Sequence, residues 1–162
     1  MSVQEKRESL GDIQTFVDLV ELKDVTVMGL SGALKTDSDG ESETQFELSF
    51  APAFKSAGLR TRFKIEFTNG KATFMADMAA HWEFPHAVSF KADTVIEFAE
   101  RVAFMTVYPY LRESIASTAA RMNQPIPTLG LIKADHFSLD VDPESLQALI
   151  DKTALLETEI DS

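Results

Sequence analysis

The chain has 162 residues, 44% hydrophobic and 25% charged, the length and mixture of a single globular domain. Its 26 acidic residues outnumber 15 Lys and Arg for a net charge of −11, which disfavours nucleic acid and anionic membrane surfaces as partners. Cysteine is absent, excluding disulfides, thiolate metal sites and cysteine nucleophiles, and no apolar run approaches the roughly 18 residues of a membrane-crossing helix.

The polar start over residues 1–8 lacks the apolar core of a signal peptide, so a soluble, cytoplasmic protein is expected. Residues 1–15 read as a polar N-terminal extension. Residues 16–142 form the main domain, and 143–162 a C-terminal helix or tail.

Residues 16–28 are rich in β-branched side chains and read as a first strand. Both its faces carry apolar residues, which a bulge or burial against a partner subunit would explain. Residues 36–42 are a loop by composition. Gln45 to Phe50 alternate cleanly as a second strand, and Pro52 argues against a central ladder position beyond it. Residues 55–58 are a turn. Leu59, Thr61, Phe63, Ile65 and Phe67 then share one face of a third strand, with Arg60, Arg62, Lys64 and Glu66 on the other. Asn69-Gly70 is a hairpin signal. It leads to a fourth strand with Phe74, Ala76, Met78 and Trp82 on the apolar face.

After Phe84-Pro85 the character changes. Asp93 suits the cap of a short helix over Val95, Phe98 and Val102. Pro109 is read as the first residue of a longer helix carrying Leu111, Ile115, Ala119 and Met122. An extended apolar connector follows over residues 128–132. Asp142-Pro143 opens a last helix with Leu146, Leu149, Ile150 and Thr153 in one stripe and Leu155 and Leu156 beside it. Strands first and helices afterwards read as α+β: a four-stranded antiparallel meander with helices on one face.

Val107-Tyr108-Pro109-Tyr110-Leu111-Arg112-Glu113, followed by Pro125-Ile126-Pro127-Thr128-Leu129-Gly130-Leu131, resembles the SecB export-chaperone family. Leu22-Lys23-Asp24-Val25-Thr26-Val27 is similar to that family's first strand, and residues 72–78 to its fourth. Residues 134–139 match more loosely. The resemblance implies a sheet backed by helices and a dimer-of-dimers assembly. It also implies binding of unfolded polypeptides or preproteins in apolar grooves without ATP, for export through the SecA motor. The alternative is a SecB-like chaperone dedicated to an antitoxin or another single partner.

A holdase needs apolar surface that stays soluble when empty, and 12 Phe and 6 Met in an acidic chain suit that task. The groove is expected beside Phe98, Phe104, Tyr108, Leu129, Leu131 and Phe137, each of which would otherwise be ordinary core or subunit interface. Asp24, Met75 and Asp77 match the motor-docking positions that the resemblance implies. Met28 departs from it, standing where the family carries a further acidic residue. Met75 is the one long apolar side chain on an otherwise polar face.

Catalysis is not expected. His81, Glu83 and His86 lie close together and are possible zinc ligands, but Pro85 turns the chain between them. No phosphate-cradling Gly loop, His-Glu-x-x-His helix or nucleophile elbow is present. No cofactor and no metal are implied.

Overall fold

A computed structural model describes residues 7–36, 44–130 and 137–160, with side chains described up to residue 157. Leu131 and the greater part of the expected 36–42 loop lie outside the described residues, as do residues 134–136 of the looser match.

The four long strands are β2 (Glu21–Leu34), β3 (Gln45–Lys55), β4 (Gly58–Thr68) and β5 (Ala72–Glu83). They form the expected antiparallel sheet, in the order β2-β5-β4-β3. Strands β3 to β5 make a meander, while β2 lies on the far side of β5. Pro52 is accommodated because β3 is an edge strand. At the β4–β5 turn, the Asn69 carboxamide oxygen accepts 2.9 Å bonds from the backbone N–H groups of both Lys71 and Ala72.

Alternation fixes the two faces. Phe63, Ile65, Phe74, Ala76 and Met78 point inward and are fully or almost fully buried. Strand β2 shifts register between Leu22 and Asp24 and again between Val27 and Gly29. These bulges explain its two-sided apolar pattern: Leu22, Val25, Val27, Leu30 and Leu34 all oppose inward positions of β5. Met28 is the extra residue of the second bulge and has no register partner.

The segment read as the start of the first strand is helical in part. Helix α1 spans Ile13–Leu19, and Asp12 caps it by accepting from Thr15 N at 2.9 Å. That cap, and complete burial of Phe16 against Phe84, Phe90 and Phe98, outweigh the β propensity of Phe16 and Val17. Ahead of it, β1 (Glu8–Leu10) pairs in parallel with β6 (Val88–Phe90) and buries Leu10. Neither short strand has a sequence pattern long enough to announce it.

Helix α2 (Ala92–Phe98), a π-helical turn (Ala99–Ala103) and helix α3 (Phe104–Arg121) follow one another directly, all in right-handed helical geometry. Pro109 therefore lies inside a helix rather than at its first position. The missing N–H costs up to about 3 kcal/mol. Burial of Phe104, Val107, Tyr108 and Leu111 on both sides of the proline holds the helix against the sheet.

Helix α3 packs on the inner face of β5 and β2. Helix α4 (Pro143–Ile160) packs on α2 and β3. Its start matches the sequence reading: Asp142 accepts from Ser145 N and Oγ at 3.1 and 2.6 Å. Of the expected stripe, Leu146 and Ile150 are buried and Leu149 faces outward, as do Leu155 and Leu156 beside it.

Candidate functional site

A chain of aromatic rings runs from the β3 edge of the sheet into the helical layer. The Phe50 and Phe63 centroids are 5.0 Å apart, and Phe63 meets Phe104 edge-on at 5.3 Å. Phe104 lies 5.2 Å from Tyr108 and stacks on Phe137 at 4.2 Å with only 11° between planes. Strand alternation supplies the first two rings, and helical spacing of four residues supplies Phe104 and Tyr108. The connector before α4 returns Phe137 over them, and Leu139 and Val141 also pack on this core.

Burial falls along this chain from its centre to its ends. Phe63 and Phe104 are fully buried, Phe50, Leu48, Phe67 and Phe137 are half-buried, and Phe46 on β3 is 43% exposed. Phe46, Leu48 and Phe50 share the inward face of an edge strand, opposite Phe67, Ile65 and Phe63. The sheet edge thus leaves a row of apolar side chains partly in water, continuous with the core. From the sequence this row is legible only as the alternation of a second strand, not as a binding surface. That the strand carrying it is an edge is set by strand order, for which Pro52 is the local signal.

Phe104, Tyr108, Leu129 and Phe137 are brought together, with Tyr108 and Leu129 nearly buried. Tyr108 Oη donates a 2.7 Å bond to Gly130 O, which ties the connector to α3. Burial raises the Tyr108 hydroxyl above its ordinary pKa of 10.0, while the Arg112 guanidinium, 5.7 Å from the ring centre, opposes the shift. Phe98 lies elsewhere. It is fully buried, stacked on Phe16 at 4.3 Å and edge-on to Trp82 at 4.9 Å. Phe98 and Phe104 are thus enclosed within the single chain. Rows of water-facing apolar side chains lie on the edge strands, and further exposed leucines on α4 at Leu149, Leu155 and Leu156. A second such row is on β2, where Leu22, Val27, Leu30 and Leu34 are 40–57% exposed.

On the outer face, Asp24 and His81 are paired at 2.6 Å. Asp77 is only 5% exposed, and the Arg62 guanidinium grips it with two bonds of 2.9 and 2.7 Å. That pairing holds the Arg62 guanidinium above its ordinary range. Met75 is half-buried and opposes Ser31, and Asp77 opposes Gly29. Asp24 aligns with position 81 of β5, four residues from Asp77, a separation of about 13 Å along the strand. Asp24, Met75 and Asp77, expected from the resemblance to form a docking site, therefore share a face without forming one cluster.

His81 and His86 point to different carboxylates, Asp24 and Glu8, each at 2.6 Å. Among the described residues, no group of three or more His, Asp or Glu is gathered closely enough to hold a metal ion.

No family model matches the chain. It is 27% identical over 136 residues to the SecB-like chaperone SmegB of Mycolicibacterium smegmatis, covering 84% of this chain and 91% of SmegB. Its fold resembles that of the Mycobacterium tuberculosis SecB-like chaperone Rv1957, solved in complex with a ChAD peptide from the HigA1 antitoxin. The TM-score is 0.59 at 16% identity, over 75% of this chain and 93% of that one. The chain is thus similar in sequence to one SecB-like chaperone and in fold to another.

Proposed function

We propose that this chain is an ATP-independent chaperone that keeps a dedicated polypeptide partner, of the antitoxin class, from folding or aggregating. The observation that carries this reading is the half-covered row Phe46, Leu48 and Phe50 on an edge strand, continuous with the buried rings of Phe63 and Phe104. An unfolded segment laid along that row covers apolar surface without any demand on its sequence beyond hydrophobicity. Phe46 alone is 43% exposed. On a side chain that buries about 200 Å², covering that share removes roughly 85 Å² from water, or about 2 kcal/mol. Several such weak contacts add up to useful affinity while each remains reversible.

Two observations favour a dedicated partner over export through the SecA motor. The fold is shared with a chaperone solved on an antitoxin peptide. On the outer face, Asp77 is engaged by Arg62 rather than offered to a motor protein. Copies of the chain associate, in this reading, through the exposed apolar row of β2. Val27→Lys then lowers the assembly mass seen by light scattering.

The test has two arms. Reduced, carboxymethylated α-lactalbumin, a permanently unfolded chain, binds the protein, and Phe46→Asp weakens it at least about tenfold at unchanged thermal stability. Antitoxins encoded beside this gene stay soluble on co-expression with the wild-type chain and precipitate with Phe46→Asp. Capture of the unfolded chain without any effect on a neighbouring antitoxin rejects the dedicated-partner reading. Binding of neither rejects the chaperone.

A further inference from the structure

A row of four residues crosses the outer face of the sheet in register: Ala53 on β3, Arg60 on β4, His81 on β5 and Asp24 on β2. Beside it lies a cavity of about 230 Å³ whose lining includes Ala53, Lys55, Arg60, His81, Trp82 and Glu83. The charges around this cavity are unequally committed. His81 is paired with Asp24 at 2.6 Å, and the Glu83 carboxylate lies 3.6 Å from Lys23 Nζ. Arg60 Nε, in contrast, is buried without a hydrogen-bond partner among the described residues. No described carboxylate forms an ion pair with Arg60 or with Lys55.

Two uncommitted cations therefore face one cavity in a chain of net charge −11. A guanidinium N–H taken from water with nothing to donate to is a standing cost, and a carboxylate brought to it removes that cost. The planar fork of arginine suits a carboxylate in particular, since two parallel bonds fix its orientation. The surroundings favour a polypeptide as the carrier. Strand β3 is an edge strand, and on its outer face Ala51 and Ala53 present only methyl groups beside Arg62 and Arg60. An extended segment lying along that edge sets every second side chain over the same face.

We propose that this cavity binds the carboxylate of an acidic residue in an extended polypeptide partner, with Arg60 as the anchor and Lys55 as the second cation. The site is on the opposite face of the sheet from the apolar row of β3 and reads a different property, negative charge in place of hydrophobicity.

The Trp82 indole points to the other face of the sheet, into the core, so binding is followed by isothermal titration calorimetry. The full-length protein is titrated with a blocked five-residue peptide alternating Gly and Glu, with the same peptide carrying Gln for Glu, and with sodium succinate. The Glu peptide binds at least about tenfold more tightly than the Gln peptide, as expected for a charge-assisted bond to a desolvated guanidinium. Arg60→Gln abolishes the preference and Arg60→Lys retains part of it. Lys55→Gln, at the cavity rim, lowers it and serves if the Arg60 variants do not fold. Equal binding of the two peptides, or a preference that survives Arg60→Gln, overturns the proposal. Succinate binding as tightly as the Glu peptide overturns the polypeptide assignment.

Discussion

Gly32 decides how closely helix α3 lies on strand β2. It faces inward, opposite Phe74, beneath the last turn of the helix. A Cβ added there would stand 2.3 Å from Met122 Sδ and 2.8 Å from Thr118 Cγ2. These two contacts are not equivalent. The methionine end is unbranched and swings aside at small cost. Thr118 is branched at Cβ, and its hydroxyl donates a 2.8 Å bond to Ser114 O, so rotating the methyl away breaks that bond. Gly32→Ala therefore forces the helix off the strand or Thr118 out of its rotamer, at about 1–3 kcal/mol. Against this stands a gain of about 0.4–1 kcal/mol from the less flexible unfolded chain. The balance is a net loss of about 1–2 kcal/mol.

For a chain of this size each kcal/mol moves the melting midpoint by about 2–4 °C, so Gly32→Ala lowers it by roughly 2–8 °C. Thermal unfolding followed by circular dichroism measures this directly. Thr118→Ser deletes the offending methyl and keeps the hydroxyl bond. In that background, Gly32→Ala costs little or becomes stabilising, whereas in a Met122→Ala background most of the loss remains. A Gly32→Ala variant that melts higher than wild type, or a rescue by Met122→Ala but not by Thr118→Ser, refutes the reasoning.

Three further outcomes follow from buried or capped groups. Trp82 Nε1 donates to Thr61 Oγ1 at 2.9 Å inside the core, so Thr61→Val strands an indole N–H and costs about 1–3 kcal/mol. Denaturant titration should show a lower midpoint at unchanged slope, and a loss under about 0.5 kcal/mol contradicts the bond's importance. Asp142 is held below its ordinary pKa of 3.8 by the Ser145 hydroxyl and N–H. Its folded value is depressed, so its stabilisation of α4 is complete above the unfolded value and fades as pH falls through the folded one. Asp142→Asn keeps the cap and removes that acid dependence from amide exchange over residues 143–146; identical acid profiles for the two proteins count against it. Burial raises the Tyr108 hydroxyl, so stability is fully present below pH about 10 and declines as pH rises toward the higher folded value. Tyr108→Phe flattens that alkaline decline and loses about 0.5–1.5 kcal/mol with the bond to Gly130 O, and an unchanged alkaline slope assigns the decline to other groups.

The strands were legible because alternation is a local signal. Each inward residue of β4 and β5 is named by its parity once one of them is placed. The two bulges of β2 were legible only as a disturbance of that parity, and cross-strand register was needed to locate them. Helix α1 was misread because Phe16 and Val17 favour strands residue by residue, while Asp12 and Thr15, which decide the matter, lie upstream of the apolar run. Pro109 was misplaced for the converse reason. Its local preference for a helix start is real, but the packing of Phe104 and Val107 ahead of it is tertiary.

The binding surface was less legible than the fold, because exposure is a property of strand order. Phe46 and Phe63 are both inward phenylalanines on alternating strands, and Pro52, in the strand of Phe46, is the one local mark that separates them. One is 43% exposed and the other fully buried because β3 ends the sheet while β4 lies within it. The same logic separates the outer-face arginines. Arg60 and Arg62 are two residues apart on one face, yet Arg62 finds Asp77 across the ladder in β5, and Arg60 stands between Ala53 and His81, whose ring is already paired with Asp24. A charged side chain becomes a site when its cross-strand neighbours cannot satisfy it. In this chain that condition is met at the β3 end of the sheet, where the apolar row lies on one face and the uncommitted guanidinium on the other.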